Sequence, residues 1–448
     1  MNKDTNYLND KINANTYVIN AGDTPSIQDH IVNRPAPKII GRLFLDIDTG
    51  ILYRDTGKYW KKLQLRPQGP PGLSYITGIG APTCDIGQIG DIYIDISTGQ
   101  LYLKLDSCSM PNCTWIEYPN NPVYEPVTPA YYQTVRYDQS QFIPYCPSAF
   151  YKMWYDFDSA GGIAMATSSD GISWAFNSNM TGLISTARHS RVLFSRDGFG
   201  TCTPYRIWYW NSTTPYIIDA EPQMIRTAVS VDGITWTNDT RITQDPTAPL
   251  LPLVTASITY NGSYGPADIL YFPENSPTLD KTNPFNNRYV MYYDVTNGAI
   301  EEIALAVSAD GNFWARIGNQ PVLPRGSSGQ WDQNYACEGA VVLRLAPNNF
   351  KMWYSGGITH SYEGIGCASS TDGINWTKFS GNPVFSISQG VPWRTARTYN
   401  PWALYDSKKF SCHGDLTCFK LWLTGGNVVD HPDIGYATMQ GCFWLPLI

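Results

Sequence analysis

Two carboxylates stand in short apolar segments of one kind, Asp268 in "PADILYF" (266–272) and Glu338 in "CEGAVVL" (337–343). Three more segments share the pattern: "QTVRYD" (133–138), "RHSRVLF" (188–194) and "YNPWALY" (399–405). Aligned by their apolar runs, they put Arg191, Asp268, Glu338 and Asn400 at comparable heights, with His189, Arg397 and Tyr399 close by. Carboxylates at one level are what glycosidic cleavage needs, one to protonate the leaving oxygen and one to activate water or attack the sugar. Asp138, from the first segment, is a further candidate. Arg191 suggests other chemistry, because a guanidinium grips a ligand carboxylate through paired, charge-assisted hydrogen bonds. His189, Arg397, Tyr399 and Asn400 would then complete a binding surface. The five histidines are dispersed, and no H-E-x-x-H, C-x-x-C, P-loop or G-x-G-x-x-G unit occurs. No metal and no cofactor are expected.

Repeated elements must position these residues. An aromatic strand follows each segment: "KMWYDF" (152–157), "RIWYWN" (206–211), "VMYYDV" (290–295), "KMWYSG" (351–356) and "KLWLTG" (420–425). A second strand then runs into a heptapeptide, "SSDGISW" (168–174), "SVDGITW" (230–236), "SADGNFW" (308–314) or "STDGINW" (370–376). A fifth, degenerate copy, "DIGYATMQGCFW", ends at Trp444. The steps between these tryptophans, 62, 78, 62 and 68 residues, suit one four-stranded blade each. Helical periodicity is absent. The expected fold is therefore all-β, a five-bladed β-propeller over residues 119–448. Only "LPLI" follows Trp444, so a segment near 120–133 is expected to supply the last outer strand and close the ring.

Within the heptapeptide, Asp-Gly is turn chemistry. Glycine accepts positive φ, and the aspartate side chain caps the turn. The tryptophan four residues after the aspartate opens the next strand, its ring free to wedge between blades. Identical aspartates spread round a ring cannot converge on one bond, so the motif reads as architecture.

The chain at this point resembles the five-bladed glycosidase superfold of arabinanases, xylosidases, fructosidases and mannoside phosphorylases. "S-x-D-G-x-x-W" recurs in that clan, and the resemblance spans the whole repeat region. It implies an Asp base, a second Asp that tunes pKa and orientation, and a Glu acid on successive inner strands. Glu338-Gly339-Ala340 looks like the acid strand, and Asp268 looks like the preceding Asp strand. Arg191 stands where the base would be, and Asp138 is the remaining candidate for that role. Without a base, water attack loses a contribution of about 10²–10⁴-fold.

Residues 1–40 are polar and lack periodicity, and read as an extended arm or anchor. Residues 41–118 hold a duplication, "GRLFLDIDTGILYRDTGKYW" (41–60) and "GDIYIDISTGQLYLKL" (90–105), the second ending at Trp115. Each copy alternates, turns at Asp-x-x-Thr-Gly and alternates again, as a hairpin does. Gly69-Pro70-Pro71-Gly72 between them is a short stiff linker. Hairpins of this form beside Gly-Pro-Pro resemble modules of phage and giant-virus fibre and collagen-like surface proteins. That resemblance implies an extended stalk, often trimeric. Cys108 with Cys113 and Cys412 with Cys418 bracket loop tips and are disulfide candidates.

A net charge of −7 argues against nucleic acid as a partner. No run of about 18 apolar residues exists to span a membrane. The first residues lack the apolar core of a secretory signal. Three functions follow as expectations. The first is a virion-surface or extracellular attachment protein whose propeller head binds a glycan or glycoprotein, its arm joining other surface proteins in a homo-oligomer. The second is a glycoside hydrolase on arabino-, xylo-, fructo- or mannosides, with Glu338 as acid and Asp268 as modulator. The third is a purely structural capsid or spike component.

Overall fold

A computed structural model describes residues 27–29, 34, 36, 38, 43–46, 51–62, 75–80, 82, 91–95, 97–98, 100–106, 114–145, 147–157, 162–200, 202–211, 225–359, 362–408, 410, 417–428, 431–439 and 442–447. Alternating patterns and Asp-Gly turns yield strands joined by turns and loops, with a few short 3-10 turns, and the fold is all-β. The chain divides into two compact units, residues 112–440 and residues 1–111 with 441–448.

Among the described residues of the larger unit, five antiparallel meanders follow one another. Their first strands are Tyr131–Tyr137, Ala187–Phe194, Pro266–Tyr271, Tyr335–Ala346 and Arg397–Tyr405. Their second strands are the aromatic ones, Tyr151–Asp156, Tyr205–Asn211, Tyr289–Thr296, Asn349–Gly357 and Phe419–Gly426. The first strands lie against one another in cyclic order, the fifth returning to the first. The third and fourth meanders also join through a single parallel pair, Glu301 with Tyr335.

The heptapeptides form the expected turns and also join the meanders. In each copy the serine Oγ accepts from the glycine N–H, at 2.8–2.9 Å, and aspartate Oδ1 accepts two further N–H groups. The glycine carbonyl is thereby presented to the neighbouring meander. Trp154 Nε1 donates to Gly233 at 2.8 Å, Trp208 to Gly311 at 2.9 Å, and Trp422 to Gly171 at 2.8 Å. Tyr292 makes the equivalent bond to Gly373 at 2.7 Å through its hydroxyl. Four seams are latched in this way. At the fifth seam Gln440 and Gly441 of the degenerate copy lie outside the described residues. Among the described residues Trp353 Nε1 is buried without a hydrogen-bond partner, and its ring packs edge-on against Trp115 at 5.3 Å.

Closure differs from the expectation. The outer strand of the fifth meander is Trp115–Glu117, pairing Ile116 with Thr438, rather than residues 120–133. Its Glu117 carboxylate meets the buried Arg394 guanidinium, with Nε at 3.1 and 3.2 Å. The following chain crosses Ile434 through bonds from Val123 and Tyr124 and stays outside the ladder.

In the smaller unit, Ile27–Asp29 runs parallel to Leu43–Asp46, which continues antiparallel to Ile51–Asp55 and Trp60–Lys62. The second copy repeats this, Tyr75–Gly78 parallel to Ile92–Asp95 and then Leu101–Asp106. Its fourth strand is Cys442–Leu447 from the other end of the chain. Trp115 therefore does not end the second hairpin copy, and Trp444 does not end the fifth repeat. Each tryptophan strand pairs where an open ladder edge receives it, which sequence order does not specify. Residues 1–26 of the expected arm and the Gly69–Gly72 linker lie outside the described residues.

Candidate functional site

The five first strands share one irregularity. Each breaks register with its neighbour, between partners of Trp154 and Asp156, at Arg188/Arg191, Pro266/Asp268, Cys337/Val341 and Tyr399/Trp402. Left-handed backbone marks the break, at Tyr132 (φ 55°), His189 (49°), Gly339 (65°) and Asn400 (49°), with Gly265 (102°) in the third. Three of these are not glycine. Such backbone is unfavourable unless its surroundings impose it, and it clusters at functional positions.

These bulges correct the alignment made from apolar runs. Counting from the aromatic partners, the equivalent positions are Thr134, Arg191, Asp268, Val341 and Trp402, opposite Trp154, Trp208, Tyr292, Trp353 and Trp422. Arg191 and Asp268 do share a level. Two residues further along each aromatic strand the level is Tyr131, Arg188, Gly265, Cys337 and Tyr399, and Glu338 falls in the bulge between Cys337 and Val341. Asn400 lies between the two levels. The extra residue in each bulge shifts everything before it, and no apolar run reports this.

At the deeper level, both carboxylates and cations are already occupied. Asp268 accepts from Val342 N at 2.8 Å and from its neighbour Ile269 N at 2.7 Å, stapling the third meander to the fourth. Burial raises its pKa to about 6 against the pull of Arg136 and Arg191. Arg191, 1% exposed, donates to Ala267 O at 2.6 Å and Ser190 O at 2.9 Å. Burial lowers its pKa, and Asp268, Asp294 and Asp156 oppose the shift. Arg191 thus neutralises buried carboxylates of its own chain, and a ligand carboxylate has no access to it. Asn400 is buried and fits best with its amide oxygen accepting from Tyr132 N (2.8 Å) and Gln133 N (3.0 Å).

Aromatic rings lie over this level. Tyr132 stacks on His189 at 3.6 Å, Tyr399 meets Tyr132 edge-on at 5.7 Å, and Tyr362 stacks on Tyr399 at 5.7 Å. Tyr131, Tyr132, Tyr335, Cys337, Tyr362 and Tyr399 form one buried cluster. His189 contacts Tyr264 O through Nδ1 at 3.1 Å, and burial holds its pKa well below the usual value, so it is neutral. Arg397 caps the cluster, its guanidinium 4.5 Å from the Tyr399 ring centre.

Sequence reasoning missed three carboxylates here. Asp156 is fully buried, accepts from His189 N at 2.9 Å and lies 3.6 Å from Arg188 Nε, while its Oδ1 has no hydrogen-bond partner among the described residues. Burial raises its pKa to about 7, outweighing Arg188. Asp294 occupies the equivalent place in the third meander, opposite Ile303 as Asp156 is opposite Ile163. Glu301 is buried and accepts from the Cys337 thiol at 2.8 Å and the Tyr362 hydroxyl at 3.2 Å. The signal for two of them was present. "KMWYD" and "VMYYD" place an aspartate two residues after an aromatic, on the same strand face.

Asp138 is at the other end of its segment, where it accepts from Phe142 N and pairs with Arg196. It cannot serve Asp268 as a base. The Glu338 side chain lies outside the described residues, as do Cys108, Cys113 and Cys412. Cys418 is disulfide-bonded, as is Cys367. Among the described residues no group of three or more His, Cys, Asp or Glu could hold a metal ion, and no helix is long and apolar enough to cross a membrane.

No family model matches the chain, and no curated protein does. Solved structures do resemble it. A glycoside hydrolase has a TM-score of 0.47 at 14% identity, covering 72% of this chain and 92% of its own. A thermostable family-43 glycoside hydrolase scores 0.44 at 15%, covering 73% and 92%. A family 117 glycoside hydrolase from the marine bacterium Zobellia galactanivorans scores 0.43 at 12%, covering 73% and 89%. Likeness at this level says nothing of the chemistry of this chain.

At the level of Tyr131, Arg188, Gly265, Cys337 and Tyr399, the carboxylates whose side chains are described are Asp156, Asp294 and Glu301, which come from neighbouring strands.

Proposed function

We propose that residues 112–440 form a five-bladed β-propeller that binds glycans without cleaving them. In this reading it is the head of a virion-surface or extracellular attachment protein. The observation that supports the reading most is the sealed channel. Asp268 and Arg191 are engaged by their own chain, and buried tyrosines lie over them. The hairpin unit acts as the anchoring and oligomerising stem, and a trimer is the assembly expected from its resemblance to fibre modules. One experiment tests the head. The purified protein on a glycan array binds at least one glycan class, and incubation with arabino-, xylo-, fructo- and mannosides releases no sugar. Sugar release abolished by Glu338→Gln would establish the hydrolase instead, and Asp156, with its pKa near 7, would then be the first partner to test. An array without any binding overturns the glycan reading.

A further inference from the structure

Away from the channel level, toward the opposite end of the strands, a pocket of about 640 Å³ opens between the second and third meanders. Arg206, Arg288, Tyr289, Thr203, Asn238 and Thr240 are among the residues lining it. The volume is in the range of small-molecule sites. Its two guanidiniums differ in a way that matters. Arg206 is built into the wall, donating to Asp310 O at 2.5 Å, Asn312 Oδ1 at 3.0 Å, and Tyr289 OH and Thr227 Oγ1 at 3.3 Å each. Arg288 donates only Nε, to Asn275 O at 3.1 Å, and both its Nη groups have no hydrogen-bond partner among the described residues. Asp197 feels its charge, but neither Asp197 nor Asp310 hydrogen-bonds to it among the described residues. Asp197 is held by Ser195, Phe199 N and Tyr271, and Asp310 Oδ1 holds the heptapeptide turn.

We propose that this pocket is a binding site for a carboxylate-bearing saccharide, with Arg288 as the residue that grips the carboxylate. This rests on the glycan-binding reading above and moves the site from the channel to the groove between meanders. Two parallel N–H groups with fixed spacing match a carboxylate and exclude a neutral sugar from the same contact. The hydroxyls of Thr203 and Thr240 and the amide of Asn238 supply the donors and acceptors that sugar hydroxyls need, and the buried wall from Arg206 to Tyr289 keeps the pocket open. The acidic-ligand role expected of Arg191 thus passes to a cation whose Nη groups make no hydrogen bond among the described residues.

The test uses the full chain from a bacterial host, so that Asn238, which lies in an N-x-T sequon, carries no glycan. Calorimetry is run with 3′-sialyllactose, a galacturonate trimer, a sulfated lactose and neutral lactose. The expected result is binding of at least one carboxylated probe, weakened at least about tenfold by Arg288→Ala and also weakened by Arg288→Lys, which keeps the charge but loses the fork. Thr240→Trp, which fills the pocket, also abolishes it, and all three variants melt as the parent does. Equal binding of the sulfated probe would make the pocket a general anion site and overturn the carboxylate assignment. Binding of neutral sugars alone, or binding untouched by Arg288→Ala, overturns the pocket and leaves the glycan-binding head standing. No binding by any probe here or on the array removes both.

Discussion

Asp156 shows how the tertiary environment sets the behaviour of a single residue. It is an ordinary aspartate at the end of an aromatic strand, yet it is fully buried, and Arg188 does not fully offset the desolvation. Its folded pKa, about 7, lies above the ordinary value of 3.8. Between these pH values the folded state holds the proton more tightly than the unfolded state. Stability therefore falls as pH rises from about 4 to 7, by at most about 1.4 kcal/mol per pH unit for one such group. Asp268 acts in the same direction up to about pH 6. Asp156→Asn keeps an acceptor for His189 N without the charge. Its urea midpoint at pH 7.5 is expected to exceed the parent's, with the difference shrinking at pH 4.5. An equal difference at both pH values would exclude titration as the cause.

The latch between meanders works at the level of elements. A heptapeptide turn orients one glycine carbonyl, and the neighbour's aromatic strand supplies the donor. Gly233 depends on Trp154 for this bond, because its own Trp236 donates to Met180 Sδ instead. Trp154→Phe removes the bond and leaves a buried carbonyl unpaired, whereas Trp353→Phe removes no hydrogen bond among the described residues. Both lose similar ring area, so the difference between them isolates the latch. Trp154→Phe is expected to be more destabilising by about 1–3 kcal/mol in urea unfolding. Equal losses would mean that the rings pack and the bonds add nothing. Much of this was legible from Asp-Gly chemistry and the spacing of the tryptophans. The cross-seam partner was not, because it comes from a residue about 80 positions away in another strand, as Trp154 does for Gly233.

At the scale of the whole molecule, both units draw strands from distant parts of the chain. Trp115–Glu117 completes the fifth meander, and Cys442–Leu447 completes the second hairpin sheet. Ending the chain at Gln440 should then leave the thermal midpoint of the 112–440 unit unchanged. It should strip hydrogen-exchange protection from Leu101–Asp106, whose partner strand is gone. Loss of protection in Phe419–Gly426 instead would show that the C-terminal strand also supports the larger unit.

The sequence by itself determined the strands, the turns and the repeat of the meanders, because alternation and Asp-Gly are local chemistry that acts wherever the chain runs. It also marked Asp268 and Arg191 as level with each other. Only the tertiary structure decided that Glu338 falls within a bulge, between Cys337 and Val341, and not at their level. One bulge per first strand resets the register, and its left-handed residue can be Tyr, His or Asn as well as Gly. Only the structure, too, decided which guanidinium keeps its Nη groups available among the described residues. Arg191 and Arg288 are the same side chain, and among the described residues Arg191 is filled by backbone acceptors and buried carboxylates while Arg288 keeps both Nη groups without a hydrogen bond.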